Sequence, residues 1–158
     1  MYLLLLIVSY IILYYWLALW LQYFFNEKKQ LLYKFYHSAI IVLLFLVVVV
    51  STELMTNEII WNRLLHAFWG WFIMIVVTLF SLKASQVKIN KFQFLFLWFF
   101  IATTFWVVNE LTESFWQIVL HYTFSSYFND TWLDLWSNTV GAIVWLLVFV
   151  GFVGKKKK

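Results

Sequence analysis

The chain has 158 residues, 65% of them hydrophobic, 24% aromatic and only 11% charged, with a net charge of +4. A soluble globular domain carries about a quarter charged residues, so this composition reads as an integral membrane protein. Without cysteine there is no disulfide framework, no thiolate metal site and no thiol nucleophile.

The first apolar run, about 2–25, has no positive segment before it and no small-residue cleavage site after it, which predicts a retained span rather than a signal peptide. Four further apolar stretches follow at about 36–51, 64–82, 92–109 and 135–153. Each approaches the ~20 residues that cross a bilayer as a helix. With no proline and four glycines, these helices are expected to run unbroken. The predicted fold is an all-α, polytopic transmembrane helix bundle of about five spans, a single membrane domain over 1–158. Short interfacial helices are expected at 52–62 and 114–127. His37 is placed at the inner interface, and His121 on the second of these helices.

The connections alternate in chemistry. "NEKKQLLYK" (26–34), "KASQVKINK" (83–91) and "KKKK" (155–158) hold all ten lysines, while "STELMTNEIIWNR" (51–63) and the stretch 109–134 hold none. Five spans put the lysine-bearing segments on one side, so the positive-inside rule places the N-terminus outside and the C-terminus inside. Glu53, Glu58, Glu110, Glu113, Asp130 and Asp134 then fall outside together with Arg63, and Glu27 falls inside. The positive charge is thus a topology signal and argues against nucleic-acid binding. The terminal lysines suit anionic headgroups of the bilayer.

His66 lies 17 residues before Lys83, Glu110 19 after Lys91 and Asp134 21 before Lys155. At ~1.5 Å per residue all three sit ~25–32 Å from the inner interface, about one hydrocarbon thickness. Helical spacing gives each its own stripe: Arg63, His66 and Gly70; Glu110, Glu113 and Gln117; Asp130, Asp134 and Asn138, continued by Gly141. Ionisable groups at this depth face protein or water, which predicts an outward-facing polar pocket between spans 3, 4 and 5. Asp130 also suits the N-terminus of span 5 as a capping residue, and Glu53 and Glu58 suit a solvated loop. Gly141 is expected to let a neighbouring helix approach.

The blocks "NRLLHAFWG" (62–70), "NELTESFW" (109–116) and "NDTWLDLWSNTVGA" (129–142) resemble the signature blocks of YjdF-type bacterial membrane proteins. Those blocks run Asp-Arg-x-x-His-x-x-x-Gly, Glu-x-x-Glu-Trp, and Asp-x-x-x-Asp before a Gly-Ala helix. Asp134, Asn138 and Gly141 also resemble an element of VanZ-like proteins. The resemblance covers about 80 residues and implies that Arg63, His66, Gly70, Glu110, Glu113, Asp130, Asp134 and Gly141 belong to one family site in a bacterial cytoplasmic membrane. The chain departs from the pattern at Asn62, where the family has aspartate, at Phe115, which shifts the tryptophan by one, and at "FSSYF", which replaces a glycine-rich approach. The YjdF-type family brings no established activity, and VanZ-like proteins are linked to glycopeptide antibiotic tolerance.

The residue chemistry supports three readings. Glu110, Glu113, Asp130, Asp134 and His66 could ligate a divalent metal ion. Arg63, Asp130 and Asn138 would then bind a phosphate-bearing or lipid ligand, and Glu110, Glu113, Asp134 and His66 are the catalytic candidates for its hydrolysis or transfer. Alternatively, the cluster fastens spans 3–5 in an accessory subunit among other membrane subunits. In the third reading the carboxylates serve ion or proton movement, against which the inner half of span 5, "IVWLLVFVGF", offers no polar lining.

Overall fold

Backbone groups in lipid must pair within their own segment, and for apolar runs of this length a helix does so. The computed structural model describes residues 2–25, 31–54, 60, 63–120 and 130–153. Among these the regular structure is helical throughout: α1 (Tyr2–Phe25), α2 (Phe35–Leu54), α3 (Gly70–Ser85), α4 (Lys91–Leu120) and α5 (Asp130–Val153). A π-helical turn, Leu65–Trp69, leads into α3. The stretches Ile7–Phe25, Leu65–Ser85, Lys91–Trp116 and Trp132–Phe149 are long and apolar enough to cross a membrane. Within α2 the described apolar stretch is Phe35–Ser51. The all-helical, multi-pass architecture is the expected one, with four stretches among the described residues long and apolar enough to cross a membrane.

Boundaries moved most in α4. Instead of ending near 109 with a separate interfacial helix at 114–127, it continues unbroken to Leu120. Residues 110–120 contain neither glycine nor proline, so nothing stops the helix there. Most of the interfacial helix expected at 52–62, together with Glu58, Asn62, His121 and the terminal lysines, lies outside the described residues.

The chain forms two compact units, Met1–Thr56 with Phe72–Phe94, and Asn57–Trp71 with Leu95–Lys158. In the first, α1 buries Tyr10, Tyr14, Leu17, Ala18 and Leu21, and α2 buries His37, Ile41, Phe45 and Val48. Both sets recur every three or four residues, as one helix face requires. Lipid tails supply no hydrophobic drive between helices, so packing and polar contacts hold them. Ser81 Oγ lies 3.1 Å from the Tyr14 carbonyl and 2.9 Å from that of Val77. The Leu32 N–H donates to the Ala84 carbonyl at 2.8 Å, tying the segment before α2 to the end of α3. Gln86, in the left-handed region at φ 56°, ends α3. Four residues later Asn90 and Gln93 exchange side-chain to backbone hydrogen bonds at 2.8 and 2.9 Å, a capping box that starts α4.

The second unit is built on α4 and α5. Trp98, Ala102 and Trp106 form a buried row at four-residue spacing that ends in buried Glu110. Trp98 meets Trp71 edge-on at 5.4 Å and Phe149 at 5.3 Å. Two glycines admit close neighbours. A Cβ on Gly70 would lie 1.7 Å from the Trp106 ring, and one on Gly141 would lie 2.3 Å from the Ala67 carbonyl oxygen. The close approach expected at Gly141 is therefore present, with the π turn as the partner. Outward faces remain apolar: Val8, Ile12 and Trp16 on α1, Phe96 and Phe100 on α4, and Trp136 on α5 are exposed. Apolar surface on this scale belongs against lipid.

Candidate functional site

The site lies in the second unit. Within the π turn the Gly70 N–H reaches back five residues to the Leu65 carbonyl, and the turn carries His66, which is 9% exposed. The sequence placed Arg63, His66 and Gly70 on one α-helical stripe; the π turn replaces that spacing, and Gly70 packs on Trp106 instead of lining polar space. Insertions of this type occur frequently at functional positions.

Glu110 and Asp134, 3% and 2% exposed, approach the imidazole from α4 and α5. His66 Nδ1 lies 3.7 Å from Glu110 Oε1, and Nε2 lies 3.3 Å from Asp134 Oδ1. The same Asp134 oxygen accepts a hydrogen bond from Arg63 Nη1. One ligand atom each from His66, Glu110 and Asp134 falls within 4.8 Å of the others, so these three buried residues could hold a metal ion.

The charges explain what such a group can accept. With His66 neutral, Arg63, Glu110 and Asp134 together carry one net negative charge, and buried charge is costly unless compensated. A proton on the imidazole restores neutrality while letting both ring N–H groups face carboxylates. A divalent cation could take the same place, since neutral imidazole and carboxylate oxygens are ordinary ligands.

The remaining expected residues divide. Glu113 is partly buried and accepts a hydrogen bond from Asn109 Nδ2 at 2.9 Å, on its own helix; it is not one of the three converging residues. Asp130 opens α5, one turn before Asp134, with its side chain outside the described residues, as are those of Glu53 and Gln117. Asn138 is 5% exposed, and neither its amide nitrogen nor its oxygen has a hydrogen-bond partner among the described residues.

Trp106 is the neighbour that sequence reasoning missed. Its ring lies 5.0 Å from that of His66, and its buried Nε1 has no hydrogen-bond partner among the described residues. The signal was present in the four-residue row 98, 102, 106, 110, whose last member is a carboxylate. The cluster is assembled from a π turn and two helices and stands on its own geometry, because no protein family, curated protein or solved structure matches the chain.

Proposed function

We propose that the protein binds a divalent cation at His66, Glu110 and Asp134, at the outer boundary of the membrane, and offers it to a phosphate-bearing ligand such as a lipid headgroup. The observation that carries this reading is the convergence of three ligand atoms, from three separate helical segments, within 4.8 Å. One imidazole with two carboxylates suits Mn²⁺ or Zn²⁺ better than Ca²⁺, which prefers oxygen alone. Arg63 is the more accessible partner of its ion pair, its side chain 22% exposed against 3% for Asp134. It is therefore the member an arriving anion meets first, and a guanidinium matches phosphate geometry. The alternation of lysine-rich and lysine-free segments supports an outward-facing site, and the likeness of the three blocks to YjdF-type proteins supports treating them as one unit.

Thermal stability of the EDTA-treated protein in detergent, with Mn²⁺, Zn²⁺, Mg²⁺ and Ca²⁺ added singly, tests the proposal. A ligand at a hundred times its Kd stabilises the native state by about 2.7 kcal/mol. Mn²⁺ or Zn²⁺ raises Tm in the wild type and has no effect in Asp134→Asn or His66→Ala. If none of the four ions moves the wild type, the cation reading is abandoned.

A second reading is favoured by the Arg63 to Asp134 bond, which engages one would-be ligand without any ion. In it the cluster fastens the π turn to α4 and α5 and fixes their register. Such pairing is weak evidence for stability but can fix register.

A further inference from the structure

His37, expected at the inner interface, is 1% exposed. It lies in the first unit, three residues after Lys34, at a lysine-bearing end of the helices. The Tyr14 hydroxyl is 2.9 Å from its Nδ1. A phenol is the stronger acid of the two and donates, which leaves the imidazole proton on Nε2. That nitrogen is buried and has no hydrogen-bond partner among the described residues.

The ring's aromatic neighbours Phe80 and Tyr36 each lie under a lysine ammonium. Phe80 stacks on it at 4.2 Å with 13° between planes, and Tyr36 meets it edge-on at 4.4 Å. Lys83 Nζ lies 5.9 Å from the Phe80 ring and Lys34 Nζ 5.6 Å from the Tyr36 ring. Each ammonium thus stands one aromatic ring away from the imidazole. No ion pair holds Lys34 or Lys83 among the described residues. The backbone that bears them is tied down by the Leu32 to Ala84 hydrogen bond and by the Tyr33 hydroxyl on the Tyr15 carbonyl at 3.3 Å.

We propose that this end of the first unit binds a phosphate group, either the phosphodiester of an anionic phospholipid or free phosphate. Lys34 and Lys83 supply the charge, and the His37 Nε2–H supplies one directed hydrogen bond. Both lysine side chains are exposed and flexible enough to close on an anion that reaches the His37 N–H. Basic groups between membrane helices at the headgroup level have this use in general. The site is independent of His66, Glu110 and Asp134, so it stands or falls apart from the cation reading.

Full-length protein in mixed micelles, incubated with phosphatidylglycerol or phosphatidylcholine and examined by native mass spectrometry, provides the test. Wild type retains phosphatidylglycerol over phosphatidylcholine. Lys34→Gln and Lys83→Gln each lower that retention about fivefold, the share of one basic group near a membrane surface, whereas Lys88→Gln, also exposed, does not. His37→Phe keeps the ring stack and loses part of the retention; if it fails to fold, the lysine variants still decide. Displacement of the lipid by millimolar inorganic phosphate identifies free phosphate as a ligand of the site, and persistence of the lipid identifies the headgroup. Equal retention of the two lipids by the wild type, or an equal loss in Lys88→Gln, overturns the proposal.

Discussion

Gly141 of α5 lies directly on the backbone of Ala67, so close that a methyl group there would sit 2.3 Å from the Ala67 carbonyl oxygen. Ala67 follows His66 in the π turn, and Gly141 lies two turns beyond Asp134. Backbone cannot step aside as a flexible side chain can. Gly141→Ala is therefore expected to push the turn off α5 and cost ~1–3 kcal/mol as overpacking. It should also weaken Mn²⁺ or Zn²⁺ binding, because His66 and Asp134 separate together. Tm and metal titration of the same sample check both parts; a variant as stable as the wild type would show that the two segments are less tightly joined.

The Arg63 to Asp134 pair admits a double-mutant cycle. Removing one partner of a largely buried pair costs about 3 kcal/mol, mostly because the other charge is left uncompensated. Arg63→Gln and Asp134→Asn should each lower Tm, and the double variant should lower it no further than the worse single one. Additive losses would mean that the two side chains act separately. Metal binding divides the functional readings: Arg63→Gln leaves all three cation ligands in place and should keep the cation effect on Tm, while Asp134→Asn should not.

Asn138 gives a prediction of opposite sign. Its amide is buried without a hydrogen-bond partner among the described residues, a situation that costs ~1–3 kcal/mol. Asn138→Leu is expected to raise Tm in the absence of metal, since the side chain is similar in size and has no polar atoms to satisfy. If Asn138 serves a bound ligand, the same variant loses ligand binding while gaining stability. A fall in Tm without metal would show that the amide is satisfied in the folded protein.

At the start of α4, Asn90→Ala and Gln93→Ala each remove half of one capping box. Each should lower stability by about 1 kcal/mol, and the pair by less than the sum, because the two bonds support one another. Hydrogen exchange at the first turn of α4 would report the fraying locally.

Much of this arrangement was legible in the chain. Unbroken apolar runs with lysines between them specify helices and their approximate number, and the Asp134, Asn138 and Gly141 spacing specifies one face of α5. His66, Glu110 and Asp134 could be grouped by depth alone, since a helix rises by a fixed amount per residue. Depth does not reveal direction. Glu113 lies less than one turn beyond Glu110, yet its carboxylate accepts a hydrogen bond from Asn109 on its own helix. His37 could be placed at the inner interface by its nearness to Lys34, but its burial against Phe80 and Tyr36 is a matter of tertiary packing. The apolar run of α4 ends near Asn109 while the helix goes on to Leu120, because polarity alone does not stop a helix. The capping box is written in the sequence as Asn-x-x-Gln, Asn90 to Gln93.

The π turn carries a further meaning for how the chain tolerates change in length. A helix with one surplus residue in a single turn can lose that residue and become regular, with its hydrogen-bond ladder restored. A one-residue deletion between Leu65 and Trp69 should therefore fold. It would also rotate Arg63 and His66 about the axis, away from Glu110 and Asp134. Helical regularity and the cluster exclude one another at this point of the chain, and the surplus residue is the place where the sequence decides between them.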